Sequence, residues 1–194
     1  MAIICLIEDT EISLKQVYEL TQIVYNQRII EGMKFRATQL SFEEYKKEFE
    51  YHNARVFVAI DECTNELCGA AAMYIKGGKF KYAHFTNAVV SPNFQRQGIG
   101  SQLKTKREQF AKEAGCNYIT STTGVNADSS VRWHLKNGYR IIGKAFWNGY
   151  YSYIFRKQIT HSILWTNRIF CSSIYIFSVI KLHVKLVIKR IIKK

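Results

Sequence analysis

Asn87-Ala88-Val89-Val90-Ser91-Pro92-Asn93-Phe94-Gln95-Arg96-Gln97-Gly98-Ile99-Gly100-Ser101-Gln102-Leu103-Lys104 contains the end of a strand, a glycine loop and the start of a helix. Ala88-Val89-Val90 is an apolar run that reads as the end of a buried strand. Pro92, the only proline in the chain, cannot donate to a ladder and pushes Ser91 toward extended geometry, so the strand stops there. Gly98 and Gly100 bracket Ile99, and a helical pattern follows. Ile99, Leu103, Phe110 and Ala114 fall on one face, with Gly115 as the C-terminal cap. The first turn of such a helix presents unpaired N–H groups and the positive end of its dipole. Glycines let a ligand approach that backbone closely. The combination is a cradle for phosphate, although an isolated G-x-G is more often a plain turn.

Two familiar phosphate loops are excluded. A Walker loop requires Gly-Lys-Ser/Thr, whereas Gly100 is followed by Ser101-Gln102. A dinucleotide fingerprint requires a third glycine at the position of Leu103, in an early βαβ unit.

Gln95-Arg96-Gln97-Gly98-Ile99-Gly100 has the form Q/R-x-x-G-x-G/A. With Val89-Val90-Ser91-Pro92 before it, this resembles the acetyl-CoA loop of the GNAT superfamily of N-acetyltransferases. Downstream, Asn126 and then Ser130-Val131-Arg132-Trp133-His134-Leu135-Lys136-Asn137-Gly138-Tyr139 resemble that family's second motif, in the expected order. The matched parts cover roughly residues 80–158. The resemblance implies an α/β fold of mixed α+β type, with a central mixed sheet of six to seven strands flanked by about four helices.

Elements read along the chain agree with that order. Residues 2–7 form a first strand. Ser13 with Gln16, and Ser41 with Glu44, are capping boxes opening helices to about Ile30 and from Phe42, and Leu40 and Tyr45 make a hydrophobic staple for the second. Strands follow at Arg55–Ile60, Cys68–Ile75 and Lys81–Val90, and another at Asn117–Thr122 after the glycine-loop helix. Asp128 is the expected N-cap of a helix over Ser129–Lys136 that Asn137-Gly138 closes. Asn148-Gly149 between Arg140–Trp147 and Tyr150–Gln158 is a strong hairpin signal. The order is βααβββαβαββ, giving a domain over 1–159 and a basic amphipathic extension over 160–194.

Composition sets bounds on function. A chain of 194 residues, 47% hydrophobic, suits one domain with a full core. Its five cysteines are scattered with no C-x-x-C pair, and the N-terminus lacks a basic leader. Free thiols in a reducing cytoplasm are therefore expected. The histidines are scattered too, and no metal site is expected. A net charge of +13 predicts attraction to anions without choosing among nucleotide, lipid and RNA.

The resemblance assigns roles to particular residues. Acetyl-CoA is the implied co-substrate, held by Val89, Val90, Gln95, Arg96, Gln97, Gly98, Ile99, Gly100, Ser101, Asn126 and Ser130. The strand end at Val89-Val90 is implied to splay from its neighbour, admit the pantetheine arm and aim an N–H at the thioester oxygen. A tyrosine usually stands four residues before the glycine of the second motif and protonates the leaving sulfur. Here that position is His134, a departure that leaves Tyr139, Tyr150, Tyr151 and Tyr153 as alternatives, and packing as another reading of His134. The general base of the histone-acetylating branch aligns with His84, which by period two shares a face with Thr86 and Ala88; a plain strand histidine is the competing reading. Lys104, Lys106 and Arg107 read mostly as a solvated helix face, with some reach toward the adenosine phosphates. The acceptor side is implied to come from residues 25–40 and the hairpin around Trp147, Tyr150 and Tyr151.

The expected activity is transfer of an acetyl group to a primary amine, on a small molecule or peptide, by direct attack in a ternary complex. The alternatives are a catalytically weak acetyl-CoA-binding module, and a basic protein using the fold as scaffold for nucleic acid or membrane. Nucleic acid is not required by the first two readings. Residues 160–194 carry seven Lys or Arg and no acid. On a helical wheel Ser178, Lys181, Lys185 and Lys189 form a narrow polar stripe beside a broad apolar surface, a pattern for lying peripherally on an anionic membrane or joining copies of the chain. Its β-branched residues favour a strand as the competing conformation. A chain ending at His161 is expected to keep acetyl transfer and to lose anionic-vesicle binding or oligomer size. Unfolding on truncation, read by circular dichroism, would instead make the tail part of the core.

Overall fold

The computed structural model describes residues 2–30, 40–78, 80–147 and 150–160. The readings placed on the acceptor loop 31–39, the Asn148-Gly149 turn and the tail lie outside the described residues. Seven strands and four helices follow in the expected order: β1 (Ala2–Leu6), α1 (Leu14–Ile30), α2 (Phe42–Tyr51), β2 (Arg55–Asp61), β3 (Leu67–Lys76), β4 (Tyr82–Val90), α3 (Ile99–Glu113), β5 (Tyr118–Gly124), α4 (Asp128–Lys136), β6 (Arg140–Trp147) and β7 (Tyr150–Gln158). Both capping boxes form: the Ser13 and Ser41 hydroxyls accept from the Gln16 and Glu44 N–H groups, and those side chains accept in return. Asp128 is the first helical residue rather than the cap. Ala127 takes the cap position and makes no side-chain bond, so Asp128 acts there only as first-turn negative charge on the dipole.

The strands form one mixed sheet in the order β1-β2-β3-β4-β5-β7-β6, in which β4 and β5 are the parallel pair. Alternate residues serve opposite faces. Phe57, Met73, Ala83, Phe85, Ile119 and Phe155 meet α3 and α4, while Val56, Val58, Ala70, Ala72 and Val89 meet α1 and α2. Ala83, Phe85 and Val89 are all odd-numbered, yet Val89 faces the other way. The cause is a β-bulge. Ala72 pairs with Thr86 and Ala70 with Val89, so β4 spends one extra residue, and Asn87 takes a left-handed φ of 45°. The extra residue inverts the parity of the strand. Val89, rather than Ala88, therefore lies on the face of His84, which corrects the period-two expectation.

Two features place the strand–loop–helix. Gly69 sits under α3, where an added Cβ would lie 2.9 Å from the Val89 carbonyl oxygen and 3.3 Å from Ile99. Only glycine admits this close approach of helix to sheet. Gly98 caps the start of α3 at a φ of 81°, and Gly115 ends it at 76°, as the sequence pattern anticipates.

Candidate active site

The parallel ladder between β4 and β5 runs only from Tyr82↔Tyr118 to Phe85↔Ser121. β4 continues to Val90 and β5 to Gly124, so the two strands diverge after Phe85, four residues before the splay expected at Val89. A cavity of about 1050 Å³ occupies the opening. It is lined by the diverging strand ends, the glycine loop, the first turn of α3, α4, and side chains of α1 and α2. Of the residues expected to bind acetyl-CoA, Val89, Val90, Gln95, Arg96, Gly98, Ile99, Gly100, Ser101 and Ser130 line it. Gln97 and Asn126 are exposed and do not.

The loop holds a run of donors. Among the described residues none accepts from the main-chain N–H groups of Arg96, Gln97, Gly98, Ile99 and Gly100, whereas those of Ser101 and Gln102 bond to the Gly98 carbonyl. Arg96 and Gly98 both have left-handed φ, 64° and 81°, which curls the backbone into a concave nest of N–H groups at a helix N-terminus. The Gln95 and Gln97 side chains tie the loop to itself, donating to the carbonyls of Val90 and Asn93 at 3.3 Å each. Gly100 faces open space apart from Val90 at 3.8 Å, so its missing side chain leaves room for a ligand rather than for protein.

His84 lines the cavity from β4. Its Nδ1 is 2.9 Å from the Thr120 hydroxyl, and Thr120 is 3.4 Å from the Ala83 carbonyl. Where Thr120 donates to that carbonyl, Nδ1 carries the proton and Nε2 is the lone pair. The ring ends a stacked column, His52 on Tyr74 at 4.4 Å and Tyr74 on His84 at 4.9 Å. Burial, then the charges of Lys76 and His52, push its pKa down to about 4.

His134 is buried on α4 and stacked on Phe155 at 4.4 Å. Its Nδ1 donates to the Ser130 carbonyl at 2.7 Å, and Nε2 meets the Ser121 hydroxyl at 3.1 Å. In the neutral ring Nε2 is therefore the lone-pair nitrogen, and it competes with the Phe85 carbonyl, 3.2 Å from the same hydroxyl, for the single Ser121 hydrogen. Burial lowers the His134 pKa, outweighing the Ser130 bond, and Arg107 lowers it further. Both nitrogens are thus engaged, and the ring clamps α4 to β5 and β7. The alternatives named for the sulfur fall apart spatially. Tyr139 is buried, lines the cavity, and its hydroxyl has no partner among the described residues. Tyr151 is exposed against Phe146 and Lys144, and Tyr153 packs against the core.

Arg107 departs furthest from its sequence reading. Instead of a solvated helix face it is 3% exposed and lines the cavity, while Lys104 turns to the Asn137 side chain at 2.9 Å. The signal was present in the spacing: Ile99, Leu103, Arg107 and Ala111 recur every four residues and all are buried. From α1 and α2 the cavity receives Tyr25, Tyr45 and Glu48, and from the C-cap of α2 it receives His52. Glu48 is the one carboxylate among the described lining residues, and its charge acts on the hydroxyls of Tyr45 and Tyr74. No motif marks it. Among the described residues no group of three His, Cys, Asp or Glu converges as metal ligands would.

The Acetyltransferase (GNAT) family model matches residues 15–139, and the chain belongs to that family. No curated protein matches the sequence. Solved structures share the fold at low identity. A GNAT-family acetyltransferase of Staphylococcus aureus Mu50 is 14% identical with a TM-score of 0.65, covering 82% of this chain and 100% of its own. The PaiA N-acetyltransferase of Thermoplasma acidophilum, in complex with coenzyme A, is 16% identical at 0.63, covering 81% and 99%. A GNAT acetyltransferase of Elizabethkingia anophelis with acetyl-CoA bound is 19% identical at 0.55, covering 81% and 97%.

The two cavity histidines set a pH dependence. Each has a folded pKa below its unfolded value of about 6.5, so the unfolded chain takes up protons first as pH falls. Their contribution to stability is complete above about 6.5 and is lost as pH falls, for His84 down to its folded pKa of about 4. The urea midpoint is expected to drop across that window, and His84→Asn to flatten the drop. An unchanged slope in the variant would mean that His84 is not held neutral by the fold.

Proposed function

We propose that the chain moves the acetyl group of acetyl-CoA to a primary amine by direct attack in a ternary complex. The observation that carries this reading is that the unpaired edge of β4 and the N–H nest of the glycine loop open on one cavity. Extended backbone can be satisfied by an amide-bearing arm lying along it like an added strand. The nest suits a pyrophosphate. A coenzyme with both features would span from the mouth of the cavity to the bulge at Asn87.

The acceptor half of the reading rests on chemistry at the opposite wall. Glu48 and the rings of Tyr45, Tyr74 and His52 give that wall a negative charge and aromatic faces, which favour a cationic amine on approach. The amine reacts only after losing a proton. His84, unprotonated above about pH 5 by virtue of its depressed pKa, is a weak base that passes the proton on to solvent. The amine nitrogen then forms its bond to the thioester carbon, the electron pair of the C–S bond leaves with sulfur, and the second proton on nitrogen is lost to solvent. A cytoplasmic location and peripheral membrane association through residues 160–194 complete the proposal. The binding-module reading draws on His134, whose single proton in the neutral ring is held on Nδ1 by the Ser130 carbonyl.

Gly100→Leu tests the coenzyme half, because the added side chain meets little protein yet blocks the nest. Acetyl-CoA affinity by calorimetry is expected to fall at least about tenfold with the melting temperature unchanged. Equal affinity in both proteins would remove the loop from the site. Thiol release from acetyl-CoA across amino acids, polyamines, aminoglycosides and peptides tests the rest. Turnover with at least one amine is expected, whereas tight binding with none would favour the binding module.

A further inference from the structure

Arg107 is a cation inside the domain with no carboxylate partner among the described residues. Its Nη1 donates to the carbonyls of Ala72 at 3.0 Å and Thr86 at 3.4 Å, the pair that flanks the β4 bulge. Its guanidinium carbon lies 4.3 Å from the centre of the Phe85 ring. Its Nε is buried with no partner among the described residues. Glu108, the nearest acid in sequence, is instead committed to Lys157 at 2.8 Å. The Ala72 and Thr86 carbonyls place the guanidinium on the β3–β4 seam at the bulge, against Phe85, the last residue of β4 that pairs with β5, and it lines the cavity that opens there.

Burying a charge without a counter-ion costs several kcal/mol, and carbonyl dipoles and one aromatic face offset only part of that. Such a group is retained where something negative forms beside it. Resting on the acetyl-transfer reading, we propose that Arg107 stabilises the departing sulfur of coenzyme A as a thiolate, in place of a side chain that protonates it. The amine nitrogen forms the new C–N bond, and the electron pair of the C–S bond leaves with sulfur. The sulfur stays anionic beside the guanidinium, and the proton lost by nitrogen goes to solvent at the acceptor side. This accounts for His134, whose Nδ1 proton is held by the Ser130 carbonyl, which leaves Nε2 as the lone pair of the neutral ring: a leaving thiolate needs no acid. Burial brings the Arg107 pKa down to about 10 against the raising effects of Tyr139, Glu108 and Tyr25, so it stays charged at neutral pH. The other titratable group facing it is His134, whose pKa it helps to lower.

The test is the ionisation of the coenzyme A thiol bound to the full chain, followed by thiolate absorbance against a desulfo-coenzyme A blank. The acid dissociation constant is expected to rise at least about tenfold over free coenzyme A. Arg107→Met should abolish the rise, and Arg107→Lys, which keeps the charge, should retain most of it. A bound thiol that ionises like the free one overturns the proposal, and this wild-type result decides even where Arg107→Met fails to fold. A rise that survives in folded Arg107→Met overturns it as well. Failure of coenzyme A to bind at all would overturn the acetyl-transfer reading beneath it.

Discussion

The structure turns on a stretch of β4 that, among the described residues, lacks a strand neighbour on one side. Main-chain N–H and C=O groups kept from water need partners, and a sheet normally supplies them on both edges of a central strand. Here β5 stops pairing at Ser121 and the Asn87 bulge adds a residue, so β4 leaves the ladder while still packed against β3. Elements around it serve that opening. Gly69 lets α3 settle close to β3 and β4, Arg107 binds the carbonyls flanking the bulge, and His134 ties α4 to the far wall. The opening is held by packing on either side, which lets it persist without closing into a continuous sheet.

The electrostatics of the cavity follow from the same geometry. Its inner end holds a buried guanidinium and two histidines that burial keeps neutral. Its mouth holds a ring of backbone donors. Both ends favour negative charge on the ligand, while Glu48 gives the α2 wall the opposite preference. A polyanionic coenzyme and a cationic amine would thus be drawn to different walls, which is what a direct transfer between them requires.

Much of the fold was legible in the sequence because local rules and the tertiary structure agree. The two capping boxes, Pro92, Gly98, Gly115 and the strand alternation each specify an element and its ends. What could not be read is what depends on neighbours. The bulge has no strong signal, since Asn87 is one of several polar residues along β4, and its parity switch moves Val89 across the sheet. Asp128 looked like a cap, but the chain enters α4 one residue earlier. Arg107 was hidden by its residue type, which argues for solvent, while its spacing in the 99, 103, 107, 111 series argues for the core. His134 and His84 were found through resemblance to a motif. Their hydrogen bonds, which limit what each can do, required the positions of Ser121, Ser130 and Thr120.

The most direct measurement is amide hydrogen exchange of the full chain with and without coenzyme A. The account predicts that protection on binding concentrates on the open segment of β4, residues 86–90, and on the loop from 96 to 100, with little change in β1, β2 or β6. Coenzyme A that binds yet leaves both segments exchanging at their free rates would contradict it, because the unpaired strand edge and the N–H nest would then not be the site.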